Sequence, residues 1–170
     1  AETALSAYAD NVRLIRDNFV NLPHILSRLE IDRVDGILAD LGLSLHQIES
    51  AGRGFSFGRN EPLDMRMDPE ALETAASLVN TAAPERLKAI FKDLGEERWA
   101  GRIAAHIIAY REQRAIETSA ELAGIIRGAI PKKDAVKRKI DPATKAFMAL
   151  RIAVNREIEV LDAFLDHAVK

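Results

Sequence analysis

The pattern of apolar and polar positions changes in character at Pro69. Before it, two short runs are typical of β-strands. Residues 12–19, VRLIRDNF, begin with alternating apolar and charged side chains, and residues 34–41, VDGILADL, are apolar apart from two aspartates. A short helix is predicted around residues 22–29, between the two runs. Two strands joined by such a helix form a βαβ unit with parallel strands and a right-handed crossover.

After Pro69, apolar residues recur every three or four positions, which is typical of amphipathic helices. Pro84 suits the first turn of a helix, Gly95 suits a stop, and Thr118 with Glu121 fits a capping box. The predicted helices cover residues 70–79, 84–94, 96–114, 118–130 and 142–170. The predicted fold class is therefore α/β, with a βαβ piece of a sheet followed by a mostly helical region.

Composition limits the class of protein. With 170 residues, 48% of them hydrophobic, the chain can bury one sizeable core and has room for a small second one. It has no cysteine, which excludes disulfides and thiolate sites, and its four histidines lack metal-ligand spacing, so we expect no metal. No leader and no run of eighteen apolar residues is present, so we expect a cytoplasmic protein that does not enter a membrane.

Charge is distributed unevenly, although the formal net charge is only -2. Residues 1–50 carry four Lys/Arg against eight Asp/Glu, whereas residues 86–139 carry thirteen against seven. Five of the eight residues in 132–139 are basic. These positions suit contact with an anionic partner through phosphates, and they equally suit a solvated helical surface with an exposed linker.

The chemistry that depends most on position lies in residues 34–68. Asp40 ends the second predicted strand, where α/β proteins bind ligands, although it could equally tie down the following turn. Ser44 and Gln47 fit a capping box. Residues 52–59, GRGFSFGR, suit a loop close to a ligand or nucleic acid, or a surface loop whose phenylalanines enter the core. Residues 63–68, LDMRMD, alternate strictly and could instead form a connector with a local salt cluster.

Five segments of the chain resemble one enzyme family. They are DGILADLG, RGFSF, PLDMRMDP, GEERWAGRIA and DPATKAFMALRIAVNREIE. They are similar to those of the bacterial S-adenosylmethionine-dependent methyltransferases that modify the N4 amine of a cytosine in small-subunit (16S) ribosomal RNA. The resemblance covers nearly the whole chain.

The resemblance implies a Rossmann-like sheet interrupted after its fourth strand by a helical domain. Residues 1–65 would be a partial methyltransferase domain, residues 66–140 a helical RNA-recognition insert, and residues 141–170 a helix returning to the methyltransferase domain. Residues 12–19 and 34–41 would be the third and fourth strands.

The resemblance also implies a cofactor, a partner and their contacts. The cofactor is S-adenosylmethionine, held by Phe19, Asp40 and Gln47. Asp40 is also our candidate for the catalytic hydrogen-bond acceptor, although it could instead serve only the cofactor. The partner is small-subunit ribosomal RNA or the 30S particle. Its expected contacts are Arg53, Phe55, Phe57, Arg59, Arg66, Lys132, Lys133, Lys137, Arg138, Lys139 and Arg151.

The chain departs from the family pattern in several places. Leu45 and His46 replace a serine and a proline, and residues 141–149, DPATKAFMA, lack three residues of the family motif. The family's glycine-rich first cofactor motif and its C-terminal strand have no counterpart. We therefore expect the isolated chain to be catalytically inactive, with strand edges that could pair in a homodimer. The alternative function is a non-catalytic helical RNA-binding or ribosome-assembly module.

Overall fold

A computed structural model of the chain describes residues 2–43 and 52–168, so Gln47 and the predicted cap at Ser44 lie outside the described residues. The chain divides into two compact units, one comprising residues 1–40 and 158–170 and the other residues 41–157. The described helices are α1 Glu2–Leu5, α2 Leu22–Arg28, α3 Ala75–Thr81, α4 Pro84–Ala89, α5 Ala100–Arg111, α6 Ser119–Ala129, α7 Lys132–Ala135, α8 Thr144–Asn155 and α9 Glu157–Ala168.

The first unit contains short helical elements joined by irregular chain. Helix α1 continues into a 3-10 turn, Ser6–Tyr8, and a second turn, Phe19–Asn21, leads into the predicted helix α2. The Asn18 side chain accepts a hydrogen bond from the Val20 N–H at 3.1 Å, which starts that second turn. The Phe19 ring packs edge-on against Phe164 of α9, with 5.2 Å between ring centroids.

The two predicted strands are not observed as strands. Residues 12–18 and 31–41 are irregular, and within residues 2–43 and 52–168 no sheet ladder forms. Residues 31–40 are all exposed, and Leu38 is 99% exposed. A β-strand is stable only when a neighbouring strand takes up its backbone hydrogen bonds, and an isolated pair is marginal in water. The apolar runs therefore mark segments whose sheet partners are not supplied by the described chain.

The second unit holds the main hydrophobic core. The apolar stripe predicted for residues 96–114 is confirmed, because Ile103 and Ile107 of α5 are fully buried. They share the core with fully buried residues from the other elements, among them Leu63, Leu78, Phe91, Ile116, Leu122, Ile126 and Leu150. Each such side chain contributes about 1.5–3 kcal/mol on removal from water. The only β-type pairing of the described chain joins Pro62 to Thr118 and fixes the preceding loop to the start of α6.

The sequence predicts the capping box of one helix correctly and does not reveal the capping box of another. Helix α6 begins with the predicted box, in which Thr118 accepts from the Glu121 N–H and Glu121 reaches back to Thr118. Helix α3 begins at Ala75 rather than at residue 70, after a second box formed by Thr74 and Ser77. Serine at the third helical position closes the box in place of the usual glutamate or glutamine, which is why the sequence pattern concealed it.

The remaining helix boundaries follow from specific contacts. Helix α4 starts at Pro84 as predicted and passes through a π-helical turn, Ile90–Leu94, that stops at Gly95. A Cβ atom on Gly95 would lie 2.8 Å from the Phe91 carbonyl oxygen. The single helix predicted over residues 142–170 is wrong, because Arg156 adopts φ 51° and separates α8 from α9.

Candidate functional site

Two of the loops singled out by sequence, residues 52–59 and 63–68, are bonded to each other. The Arg53 guanidinium donates to the carbonyl oxygens of Met67, at 2.9 Å, and of Arg66. In return the Met65 N–H donates to the Arg53 carbonyl at 2.8 Å. We call Arg53, Met65, Arg66, Met67 and Asn155 of α8 the loop cluster. It joins three of the family-like segments in one place.

All three guanidinium nitrogens of Arg66, in the loop cluster, donate hydrogen bonds to residues close to it in sequence. Its Nε and Nη2 atoms bind the two Asp64 carboxylate oxygens at 2.8 and 2.7 Å. Its Nη1 atom donates to the Pro69 and Ala71 carbonyls at 2.8 and 2.7 Å. The hydrogen bonds from Arg66 hold the pKa of Asp64 below its usual range. These bonds also bend residues 69–71 into a turn, which explains why α3 does not begin at residue 70.

Asn155 closes the loop cluster from the end of α8. Its Nδ2 atom donates to the carbonyls of Met65 and Arg151, each at 2.8 Å, and its Oδ1 atom accepts from the Met67 N–H at 2.6 Å. Met65 is buried and adopts φ 62°, a left-handed conformation that costs a non-glycine residue about 1–2 kcal/mol. The bonds on both sides of Met65 offset that strain.

Replacing Asn155 with alanine is expected to lower the free energy of unfolding by about 2 kcal/mol, because the buried Met65 carbonyl loses its partner. Asn155→Asp is the matched control, since it keeps the acceptor for Met67 and loses the donor to Met65. Chemical denaturation should therefore rank wild type above both variants, because in Asn155→Asp a carboxylate oxygen faces the Met65 and Arg151 carbonyl oxygens where the amide donated to them. Equal stability of all three proteins would show that Asn155 does not hold the loops.

The two phenylalanines of residues 52–59 are half-buried against the core. The Phe57 ring meets Phe147 of α8 edge-on at 4.9 Å, and the Arg127 guanidinium lies 5.6 Å from the Phe57 centroid. The Arg53 guanidinium lies 5.3 Å from the Phe55 centroid. The structure thus agrees with the interpretation of a loop whose aromatic rings enter the core, while both residues keep some exposed surface.

The basic segment 132–139 contains both exposed and engaged cations. The four lysines, Lys132, Lys133, Lys137 and Lys139, are exposed. Arg138 instead forms two hydrogen bonds of 2.7 Å to the carboxylate of Glu97, whose side chain is fully buried. The lysines are therefore available to an anionic partner, while Arg138 attaches the segment to the helical core.

Glu97 is one of two buried acids, with Glu61, that sequence reasoning did not identify. Burial acts to raise the pKa of Glu97, but hydrogen bonds from Arg138 and from the Trp99 N–H outweigh burial and hold that pKa below its usual range. Glu97 lies in the family-like segment GEERWAGRIA, which was the only available signal. A glutamate next to an arginine in the sequence is typical of an exposed position. The sequence does not show that Glu97 pairs with Arg138, forty-one positions away.

The two remaining arginines that were predicted to contact RNA, Arg151 and Arg59, differ in how closely they pair with a carboxylate. Arg151 forms two hydrogen bonds to Glu157, at 2.7 and 2.9 Å, so its charge is paired within the chain. Arg59 is exposed, and its Nη1 atom lies 3.9 Å from the buried carboxylate of Glu61. Among the predicted RNA contacts, Arg59 and the four lysines of residues 132–139 are therefore the most exposed cations.

The predicted cofactor residues lie in the first unit or outside the described chain. Phe19 is 41% exposed and packs against Phe164, and Asp40 presents an exposed carboxylate. An accessible aromatic ring and a carboxylate have the chemistry that a purine and a cationic sulfonium compound require. Whether Gln47 joins them stays a prediction.

Neither a metal site nor a membrane-spanning helix is found in the part of the chain that the structure describes. Among residues 2–43 and 52–168, no group of three or more histidines and carboxylates is placed to hold a metal ion. In the same residues, no helix combines the length and the apolar composition needed to cross a bilayer.

Comparison with known proteins assigns all five family-like segments to a single protein family. A model of the MraW methylase family matches residues 1–170. Proteins named ribosomal RNA small subunit methyltransferase H are 52% identical to the chain in Desulfosudis oleivorans, over 99% of it, and 51% identical in Desulforapulum autotrophicum, over 97% of it. A protein of the same name from Geotalea uraniireducens is 46% identical over the whole chain. The chain spans about half of these relatives, 54% of the length of each.

Proposed function

The chain belongs to the MraW methylase family, and we propose that it forms part of an enzyme that methylates the N4 amine of a cytosine in small-subunit ribosomal RNA. S-adenosylmethionine would supply the methyl group. The observation that carries the proposal is the 52% identity, over 99% of the chain, with a relative named for that class of RNA. The relative is longer, so the complete activity is proposed for the full-length protein.

The reaction requires positioning and an acceptor. The exocyclic amine of cytosine is a poor nucleophile, because its lone pair is delocalised into the ring. The protein must therefore hold the amine in line with the methyl group and accept a hydrogen bond as positive charge develops on nitrogen. The C–N bond would form as the C–S bond breaks, S-adenosylhomocysteine would leave, and the proton lost by the amine would pass to the hydrogen-bond acceptor and on to water. We assign the acceptor role to Asp40, which is exposed.

Unpaired RNA would lie across the second unit. A splayed base can stack on the accessible parts of Phe55 or Phe57, because single-stranded RNA is recognised by stacking on aromatic rings. Arg59 and the lysines at 132, 133, 137 and 139 would bind phosphates. Arg53, Arg66, Arg138 and Arg151 would act chiefly by holding the loops and α8 in place, since their donors are engaged within the chain.

The first unit would complete a Rossmann-like sheet in the full-length protein. Residues 12–19 and 34–41 carry exposed apolar side chains, including Leu14, Val34, Ile37 and Leu38. Pairing with further strands would bury these side chains and satisfy the backbone, which fits the proposed third and fourth strands. A second copy of the chain could supply the pairing instead, as a homodimer.

A second candidate function is a non-catalytic RNA-binding or ribosome-assembly module. It is favoured by one observation: the main core and the exposed lysines both belong to the unit of residues 41–157. Salt-dependent RNA binding that is indifferent to S-adenosylmethionine, together with no methyl transfer by a full-length form, would favour this function over the enzyme.

Asp40→Ala is expected to weaken S-adenosylmethionine binding by about tenfold to a hundredfold, the effect of losing a hydrogen bond to a charged group. The protein for this test is a hybrid in which the present chain replaces the matching half of the Desulfosudis oleivorans relative. Asp32→Ala is the matched control, since Asp32 is an exposed aspartate in the same irregular segment of the sequence. Calorimetric titration that finds equal affinity in both variants would remove Asp40 from the cofactor site.

A further inference from the structure

Trp99 is the single tryptophan of the chain, and two arginine side chains lie over its ring. The guanidinium carbons of Arg98 and Arg102 lie 5.4 and 5.8 Å from the ring centroid, within the range of cation–π contacts. Both arginines are exposed, and Trp99 is half-buried. The indole thus orients two guanidinium groups that remain accessible from solvent.

The arginine pair lies next to the basic segment 132–139. The Arg102 Nε atom donates to the Ala129 carbonyl at 2.9 Å, which links α5 to the end of α6, three residues before Lys132. At the other end of the segment, Arg138 is bonded to Glu97, two residues before Trp99. The segment that carries the lysines is therefore attached to the chain on both sides of Trp99, through Arg102 and through Glu97.

The combined surface is strongly cationic. Residues 96–102 and 131–139 present six exposed cations, against two carboxylates, Glu96 and Asp134, outside the neutral pair of Glu97 and Arg138. The six are Arg98, Arg102, Lys132, Lys133, Lys137 and Lys139. An excess of this kind in one place favours a polyanionic partner.

We propose that Arg98 and Arg102, oriented by Trp99, bind backbone phosphates of RNA together with the lysines of residues 132–139. The inference rests on the proposed function, because it takes ribosomal RNA as the polyanion. It adds Arg98, Arg102 and Trp99 to the RNA-contacting residues.

Stacked arginines suit phosphates for a geometric reason. The guanidinium group is planar, stacks on aromatic rings and presents a fork of N–H donors that matches two phosphate oxygens. Arg102 uses Nε for the Ala129 carbonyl, which leaves its two terminal nitrogens for such a fork. A guanidinium already held against the indole loses less conformational entropy on binding. Arg98 and Arg102 thus bind phosphate directly, and Trp99 is a positioning residue.

The test measures binding of a fluorescein-labelled single-stranded RNA to the 170-residue chain by anisotropy, as a function of salt. Each phosphate contact on single-stranded RNA contributes about 0.7 to the slope of log affinity against log salt. Arg98→Gln with Arg102→Gln should therefore lower that slope by about 1.4 and weaken binding about twentyfold at about 0.1 M salt. Trp99→Leu keeps every cation, so it should weaken binding while leaving the slope unchanged.

Two further variants separate the proposal from charge and folding effects. Arg86→Gln with Arg114→Gln removes the same charge from arginines that pair with Glu73 and Glu121, and it should leave the affinity nearly unchanged. Arg98→Gln alone leaves the Arg102 bond to Ala129 intact and should give half the change in slope. Unaltered circular dichroism of Arg98→Gln shows that its effect is on binding.

Each outcome decides the proposal. If the wild-type chain binds the RNA and the Arg98/Arg102 variant behaves like the Arg86/Arg114 control, this inference fails while the proposed function stands. If the wild-type chain does not bind RNA, this inference fails, while the proposed function is decided by the hybrid protein.

Vesicles with anionic lipids serve as a second probe. Binding to them that depends on Arg98 and Arg102, without a matching effect on RNA, would assign the surface to a membrane and overturn the proposal. Quenching of Trp99 emission on RNA addition is the expected direct signal.

Discussion

Arg138→Met should destabilise the unit of residues 41–157 by about 3–5 kcal/mol, the usual effect of breaking a buried ion pair by removing one partner. The variant leaves the Glu97 carboxylate, which is fully buried, without its counter-ion. The matched control is Arg127→Met, whose partner Asp141 is 32% exposed in its side chain and can be solvated. We expect the control to lose about 0–1 kcal/mol. Denaturation followed by Trp99 emission measures both.

The pH dependence of the same comparison provides an independent check. In the wild-type chain the pKa of Glu97 is held below its usual value, so this contribution to stability is present above that usual value and is lost as pH falls through the folded-state pKa. In Arg138→Met the Trp99 N–H still donates to this carboxylate, but the Arg138 hydrogen bonds that oppose the effect of burial are gone, so protonation relieves the variant. The deficit should therefore shrink as pH is lowered below about 4.5. A deficit that stays constant with pH would assign the loss to packing.

Gly54→Ala should destabilise the loop cluster by several kcal/mol. Gly54 adopts φ +68°, and a Cβ atom there would lie 2.3 Å from the Pro62 carbonyl oxygen. The backbone conformation alone costs about 1–2 kcal/mol and the forced displacement of residues 62–64 about 1–3 kcal/mol more. Thermal and chemical unfolding measure the effect.

Two other glycines serve as graded controls for this substitution. Gly52 has φ +91° with nothing within 4 Å of an added Cβ atom, so Gly52→Ala isolates the conformational cost. Gly58 lacks a positive φ, and the nearest atom is the Ser56 hydroxyl oxygen at 3.4 Å, so Gly58→Ala should be nearly neutral. If Gly54→Ala proved no worse than Gly52→Ala, the close approach of the two loops would be refuted.

The features that sequence predicted correctly depend on neighbours within one or two helical turns. The box of Thr118 and Glu121, the start at Pro84 and the stop at Gly95 each need only a few adjacent residues, and each is confirmed. The family resemblance is confirmed as well, because it rests on long ordered segments that retain their order along the chain.

The features that sequence did not predict depend on distant partners. Residues 34–41 have the composition of a buried strand, yet a strand needs a neighbour, and the described chain offers none. The pair of Asp64 and Arg66 confirms the alternative of a local salt cluster in residues 63–68, because its partners are only two positions apart. Arg138 and Arg151, in contrast, look like free cations in the sequence. Their carboxylate partners lie forty-one and six positions away, and no local periodicity identifies those pairs. The assignments of Asp40, Phe19 and Gln47 to the cofactor stay predictions.

The most direct test of the central claim is the product formed by the hybrid protein. The hybrid would be incubated with S-adenosylmethionine and small-subunit ribosomal RNA from cells lacking the modification, and the nucleosides analysed by mass spectrometry. We expect a methyl group on the N4 amine of cytosine with the hybrid, and none with its Asp40→Asn variant or with the isolated 170-residue chain. A folded hybrid that leaves the RNA unmodified, or that methylates a different atom, would contradict the account.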